Sequence, residues 1–197
     1  MTDKKTVAAV AASWIKQILF IITATLFISV VLIQTYDIND VSMQPTFDPQ
    51  GNRVLVYVTP YLFSGEPKYG DILIIDSRVN RNRTVWDRIV ESPIIALILG
   101  RQDKHLWVKR VIGLPGDHLE FVDGLVYRNG EKLVEDYIRG RTESSLSELI
   151  IPKDHIFVMG DNRERSSDSR RIGPVPSINV QGRVILRFFP LTRIDTY

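Results

Sequence analysis

A serine and a lysine are the residues of this chain whose types and surroundings best suit nucleophilic chemistry. Lys109 lies inside an apolar stretch at residues 106–112, and Ser42 lies in the segment Val-Ser-Met-Gln-Pro-Thr at residues 41–46. Because an ammonium group loses much hydration free energy on burial, an apolar environment can lower a lysine pKa by several units. A neutral amine of this kind could take the proton of a serine hydroxyl, so the pair is a candidate nucleophile and base.

The position of Lys109 in a strand decides whether it is buried. If residues 106–112 form a regular strand, Trp107, Lys109 and Val111 share one face, because side chains alternate between the faces. Arg110, on the opposite face, cannot lose its charge and should reach solvent or a carboxylate. An edge-strand lysine that only discourages aggregation explains the same segment, and on these residues alone that alternative stays open.

The segment before Ser42 predicts a membrane anchor. The run from Ile18 to Ile33 carries no charge, and Trp14 and Tyr36 flank it about 22 residues apart, or roughly 33 Å of helix. We therefore expect a cytoplasmic N-terminus at 1–13, a transmembrane helix at 14–36 and an extracytoplasmic domain at 37–197, since the basic residues precede the run. A cleavable signal peptide is the alternative, although the apolar run is long for one.

Ser42 should consequently work close to a membrane surface. It stands nine residues after the apolar run, and a fully extended connector of that length reaches at most about 30 Å. A substrate of Ser42 would therefore be membrane-proximal as well.

The rest of the chain predicts a mainly β fold with antiparallel sheets. Asp123-Gly124 and Asn129-Gly130 are residue pairs that favour tight type I′ turns between strands. Apolar and β-branched residues predict seven strands besides 106–112, at 53–59, 71–76, 118–122, 125–128, 131–134, 150–159 and 183–189. Helical periodicity is weak beyond the anchor, with one candidate at 84–100.

Composition excludes several classes of function. The chain has no cysteine, which removes disulfides, thiolate metal sites and thiol nucleophiles. Its three histidines are far apart in sequence, so we predict no metal site and no cofactor. The net charge of +2 arises in the N-terminal segment, and nothing in the charge distribution favours nucleic acid.

Four ordered segments resemble the sequence boxes of bacterial type I signal peptidases, which are serine proteases with a Ser-Lys dyad. They are Ser-Met-Gln-Pro-Thr at 42–46, Gly-Asp-Ile-Leu-Ile at 70–74, Lys-Arg-Val-Ile-Gly-Leu-Pro-Gly-Asp at 109–117, and Gly-Asp-Asn-Arg at 160–163 followed by Ser166, Asp168, Ser169 and Arg170. The resemblance covers the anchor and most of residues 37–190.

The resemblance implies a membrane-anchored endopeptidase that cleaves signal peptides from exported preproteins. Ser42 would be the nucleophile and Lys109 the general base. The expected partners are preproteins, with small residues at positions −1 and −3 of the cleavage site, and the lipid bilayer, with proximity to the secretion translocon. The expected location is the cell membrane, crossed once. A Ser-Lys maturation peptidase with a narrower substrate is the alternative, and a catalytically silent binding module is a weaker one.

The last box is expected to support the dyad. By the resemblance Ser166 would accept a hydrogen bond from Lys109, while Asp168 and Arg170 could form an ion pair that fixes the local backbone. The neighbouring charged residues Arg163, Glu164, Arg165 and Arg171 are interpreted as surface residues.

Two features depart from the family pattern. The backbone N–H of Ser42 is the first candidate for binding an oxyanion, but the position that carries a hydroxyl in some members is Asp40, whose carboxylate would repel one. An insertion at about 78–105 contains the apolar run 94–99, which either touches the membrane interface or packs on the β domain.

Overall fold

A computed structural model describes residues 4–49, 51–62, 65–81, 83–91 and 105–197. Its first element is the helix α1, Lys4–Phe27, which continues into a π-helical turn at Ile28–Leu32. The strand β1 then begins at Ile33, so the helical segment stops short of the predicted boundary at Tyr36. The physical reason is pairing, because β1 (Ile33–Ile38) forms an antiparallel ladder with the next strand.

The exterior of α1 is apolar and exposed. The exposed fraction of the side chain is 61% for Trp14, 73% for Phe20 and 61% for Ile21, so the helix does not pack its apolar residues on the β domain. Within the described ranges, none of the helices combines the length and the apolar character needed to cross a membrane.

The larger of the two sheets that the structure describes is antiparallel and has eight strands, which confirms the predicted β class. Its strand order is β1-β2-β11-β3-β4-β9-β10, and β12 pairs with β11. After β1, the bounds are β2, Asn52–Tyr57; β3, Ile72–Asp76; β4, Leu106–Gly113; β9, His155–Met159; β10, Val175–Pro176; β11, Val180–Phe189; and β12, Asp195–Thr196.

A smaller four-stranded sheet contains the two predicted hairpins. Its order is β7-β6-β5-β8. The bounds are β5, His118–Val122; β6, Leu125–Arg128; β7, Glu131–Lys132; and β8, Glu148–Ile150. Asp123 and Asn129 have positive φ angles of 52° and 55°, as tight two-residue turns require.

The helices other than α1 that lie within the described residues are short. They are α2, Thr59–Leu62; α3, Val85–Val90; and α4, Ser169–Ile172. The structure thus contains a helical turn within the predicted 84–100 segment, whereas residues 92–104, including the apolar run 94–99 of the insertion, lie outside the described residues.

The central strands β3 and β4 separate two hydrophobic clusters. Ile72 and Ile74 face one cluster, while Leu73 and Ile75 face the other together with Trp107 and Val111. In the β3–β4 register Lys109 lies opposite Leu73, and all five residues of β3 are buried. The predicted strand face of Lys109 is therefore a buried face in the middle of the sheet.

Candidate active site

Ser42 lies in a 3₁₀ turn, Val41–Met43, between β1 and β2. The side chain of Met43 is fully buried and so anchors the turn in the hydrophobic core. Asn162 anchors it from the side, because its backbone N–H donates to the Ser42 carbonyl oxygen at 3.0 Å and its amide donates to the Val41 carbonyl oxygen at 3.1 Å. The serine is thereby held on a fixed backbone with only 3% of its surface exposed.

Lys109 reaches Ser42 from strand β4. The distance from Lys109 Nζ to Ser42 Oγ is 2.8 Å, and Nζ also donates to the Val108 carbonyl oxygen at 2.9 Å. The amine lies 5.6 Å from the centre of the Trp107 ring, on the strand face that the sequence pattern predicts. Residues 67 positions apart in the chain are thus brought within proton-transfer distance.

Burial changes the acidity of this lysine. Lys109 is 2% exposed, and its removal from water lowers the pKa of the amine from 10.5 to about 8. The carboxylates of Asp40, Asp168 and Asp161 oppose the shift, and the guanidinium of Arg170 adds to it. A free amine is therefore accessible near neutral pH.

Asp168 and Arg170 form an ion pair near the Lys109 amine. Two guanidinium nitrogens of Arg170 donate to the two carboxylate oxygens at 2.9 and 2.8 Å. Burial alone would raise the pKa of Asp168, but the Arg170 contacts and the N–H of Gly160 keep it below its ordinary value. The carboxylate also accepts from the Arg170 backbone N–H and so caps helix α4.

Ser166 does not make the predicted hydrogen bond to Lys109. Its hydroxyl is buried and has no partner of ordinary hydrogen-bond geometry among the described residues, although it helps to lower the pKa of Asp168. Lys109 donates to the Val108 carbonyl oxygen instead. Gly160 permits this close packing, because a Cβ there would collide with the Ser166 hydroxyl and the Ser42 carbonyl oxygen.

A second ion pair joins strand β4 to the last box. Arg110 donates to both carboxylate oxygens of Asp161, at 2.8 and 2.7 Å, and its guanidinium lies 4.0 Å from the centre of the Tyr137 ring. The sequence predicted either solvent or a carboxylate for Arg110, without naming Asp161. The available signal was the position of Asp161, two residues after the end of the buried strand β9.

Arg163 is not a surface residue, contrary to the prediction. Its side chain is fully buried, pairs with the carboxylate of Glu135 and donates to the Gly160 carbonyl oxygen at 3.2 Å. Thr142 accepts a further hydrogen bond from it. Burial is tolerated because the Glu135 carboxylate, the Gly160 carbonyl oxygen and the Thr142 hydroxyl accept from the guanidinium. Glu135 and Arg163 are 28 residues apart, so local sequence does not reveal the pairing.

Asp40 immediately precedes the 3₁₀ turn that contains Ser42, and its carboxylate is directed forward along the chain toward that turn. One carboxylate oxygen accepts from the Ser42 backbone N–H at 3.2 Å and caps the 3₁₀ turn. The expected oxyanion donor is therefore already hydrogen-bonded. The arrangement as a whole places a buried amine where it can accept the proton of the Ser42 hydroxyl.

Comparisons with known proteins agree with the resemblance. Residues 11–189 match the family described as "Signal peptidase, peptidase S26". The chain is 36% identical over 152 residues to "Probable signal peptidase I-1" of Synechocystis sp., covering 77% of this chain and 69% of the relative. It is 33% identical over 192 residues to "Signal peptidase I" of Bacillus licheniformis, covering 92% and 90% of the two chains.

A solved structure of a signal peptidase I from Enterococcus faecalis aligns with 60% of this chain and 96% of its own, with 27% identity and a TM-score of 0.41. The match to the family extends over nearly the whole chain, and about a third of the aligned residues are identical in each of the two relatives. The chain therefore belongs to peptidase S26, the signal peptidase family, as a type I member that hydrolyses peptide bonds.

Proposed function

We propose that Ser42 and Lys109 are the catalytic dyad with which this signal peptidase cleaves signal peptides from preproteins. The single observation that carries the proposal is the distance of 2.8 Å between the buried Lys109 Nζ and Ser42 Oγ. No other base is needed, since burial lowers the pKa of the lysine to about 8.

The reaction follows from this geometry. Ser42 Oγ attacks the scissile carbonyl carbon while Lys109 Nζ accepts its proton, and the resulting ammonium gives the proton to the leaving amine as the C–N bond breaks. The neutral amine then takes a proton from water, whose oxygen attacks the acyl carbon. The bond between that carbon and Ser42 Oγ breaks, and the lysine returns a proton to the serine. One amine thus serves both half-reactions.

The direct test is cleavage of a preprotein presented in vesicles, with the new N-terminus determined by mass spectrometry. We expect one cut, after small residues at −1 and −3, and no cut with the Ser42→Ala variant. A panel of unrelated preproteins separates the two roles considered from sequence. Cleavage of most of them supports a general signal peptidase, whereas cleavage of one would indicate a maturation peptidase. Unimpaired cleavage by Ser42→Ala would refute the dyad.

The dyad predicts a specific pH dependence. Below pH 8 the lysine is protonated and cannot accept the serine proton, so the acylation rate should rise about tenfold per pH unit and level off above about pH 8. Single-turnover cleavage measured from pH 5.5 to 10 gives this limb. A limb that climbs through pH 10 would mean that the lysine is not shifted.

The helix α1 is proposed as the membrane anchor that holds this site near its substrates. The support is the exposure of apolar side chains on every side of the helix, including Leu19, Ile22 and Phe27 at 57%, 50% and 59%. In water such a surface would be unfavourable, whereas lipid would cover it. With Lys4, Lys5 and Lys16 near or before the apolar run, the N-terminus would be cytoplasmic and residues 37–197 extracytoplasmic.

Arginine substitutions in the full chain test the anchor. Replacing Leu19 and Ile22 by arginine should release the protein from vesicles, because each arginine costs about 2.5–3.5 kcal/mol at the centre of a membrane helix. Flotation with lipid vesicles measures the change. Leu191→Arg with Ile194→Arg is the matched control, since these exposed apolar residues lie outside α1. Equal flotation of both double variants would contradict an anchoring role for α1.

A further inference from the structure

The backbone N–H of Ser42 is occupied in the free protein. Asp40 stands two residues before the nucleophile in an extended conformation, with φ −94° and ψ 147°, and one of its carboxylate oxygens accepts from this N–H at 3.2 Å. When Ser42 Oγ attacks a carbonyl carbon, negative charge develops on the carbonyl oxygen next to the same N–H. A carboxylate and an oxyanion repel each other at such a distance, so both cannot use this donor at once.

The contact is weak enough to be broken. Its length of 3.2 Å is at the upper limit for an N–H···O hydrogen bond, and the Asp40 side chain is exposed. No other hydrogen-bond donor to its carboxylate is found in the part of the chain that the structure describes.

The nucleophile turn does not depend on this contact alone. The Gln44 backbone N–H donates to the Val41 carbonyl oxygen at 3.2 Å, and Asn162 holds the carbonyl oxygens of Val41 and Ser42. The turn can therefore keep its shape while Asp40 moves away.

We propose that Asp40 is a displaceable cap on the oxyanion donor, which the carbonyl oxygen of a bound substrate must push aside before Ser42 can react. The proposal rests on the proposed role of Ser42 as the nucleophile. Asp40 is a positioning residue in this scheme. Its hydrogen bond to the Ser42 N–H orders the turn, whereas its negative charge disfavours the oxyanion that forms when Ser42 reacts. It keeps the turn in order when the site is empty and leaves the donor when a substrate arrives.

The charge of Asp40 acts on Lys109 in the same direction. The charged groups that face the amine are Asp40, Asp161, Asp168 and Arg170, and among the three carboxylates Asp40 does most to raise the pKa of the lysine. Removing this charge should leave more neutral amine at pH 7. Both effects therefore predict that a neutral side chain at position 40 speeds acylation.

Asp40→Asn is the decisive variant, because the amide oxygen can still accept from the Ser42 N–H while the charge is gone. We expect its single-turnover acylation rate at pH 7 to rise about threefold or more, with the acid limb of the pH profile displaced to lower pH, since half a pKa unit changes the amine fraction about threefold. Asp40→Ala should show the same displacement of the limb.

A peptide boronate provides a readout independent of turnover. Its boron atom forms an anionic tetrahedral adduct with a serine oxygen, which imitates the oxyanion. For each protein, the affinity of the boronate is divided by the affinity of the same peptide without boron. We expect this affinity ratio to be about tenfold higher for Asp40→Asn than for the parent chain.

Two results would overturn the proposal and leave Asp40 as a simple turn cap. One is an unchanged acid limb together with an unchanged or slower acylation rate in Asp40→Asn. The other is an unchanged affinity ratio for the boronate. The Ser42→Ala variant identifies failure at the earlier step. If it cleaves preprotein and binds the boronate like the parent chain, the nucleophile assignment fails, whatever Asp40 does.

Discussion

Replacing Lys109 by methionine is expected to reduce preprotein cleavage by at least about 10³-fold while the protein stays folded. Methionine fills a similar volume but cannot accept the proton of Ser42. Since the variant also removes the cost of burying an amine, its thermal unfolding temperature should be unchanged or higher. Initial rates of cleavage and a thermal unfolding curve measure the two effects.

Two controls belong to this experiment. Lys132→Met removes an exposed lysine from β7 and should leave cleavage unchanged. The double variant Ser42→Ala with Lys109→Met should be no slower than either single variant, because residues that act as a unit lose their effect together. A Lys109→Met variant that keeps more than a tenth of the parent activity would contradict the assignment of Lys109 as the base.

Replacing Glu135 by alanine is expected to cause the largest loss of stability. The guanidinium of Arg163 is fully buried, and Glu135 is its carboxylate partner. Removing one member of a buried ion pair typically costs about 3–5 kcal/mol, because the remaining charge is left unpaired. Denaturant unfolding should show this loss, and the midpoint of thermal unfolding should fall by roughly 10 °C.

The design separates the missing charge from the missing side chain. The double variant Glu135→Leu with Arg163→Met removes both charges. It should be much more stable than Glu135→Ala, because no buried charge is left unpaired. Asp37→Ala breaks the exposed pair of Asp37 with Arg53 and should cost less than about 1 kcal/mol. A loss at Glu135 no greater than that at Asp37 would show that Arg163 does not depend on its carboxylate.

The parts of the fold that the sequence predicts are those governed by local periodicity. Alternation along β4 puts Lys109 on the face of Trp107 and Val111, and the structure has this arrangement. Asp123-Gly124 and Asn129-Gly130 form the two tight turns, since these residues accept positive φ at little cost. The predicted strand at 150–159 was too long, because Ile150 ends β8 and Pro152 lies between it and β9.

The contacts that the sequence could not predict are non-local or depend on side-chain rotamers. The burial of Arg163 requires Glu135, from a different part of the fold. The hydrogen bond expected between Lys109 and Ser166 does not form, and the amine donates to the Val108 carbonyl oxygen, a contact that depends on the lysine rotamer. The start of β1 at Ile33 could not be predicted either. Ile33 is apolar and continues the apolar run of the preceding helix, so only the pairing of β1 with β2 shows where the helix ends.

The central claim is that Lys109 is a neutral amine at the pH where Ser42 reacts. The most direct measurement is an NMR titration of the lysine ε carbons in ¹³C-labelled protein, with the Lys109 signal assigned by its loss in Lys109→Met. We predict that this signal titrates with a pKa of about 8 and that the acid limb of acylation follows the same pKa. A Lys109 signal that titrates near the ordinary 10.5, or an acylation limb unrelated to it, would contradict the account.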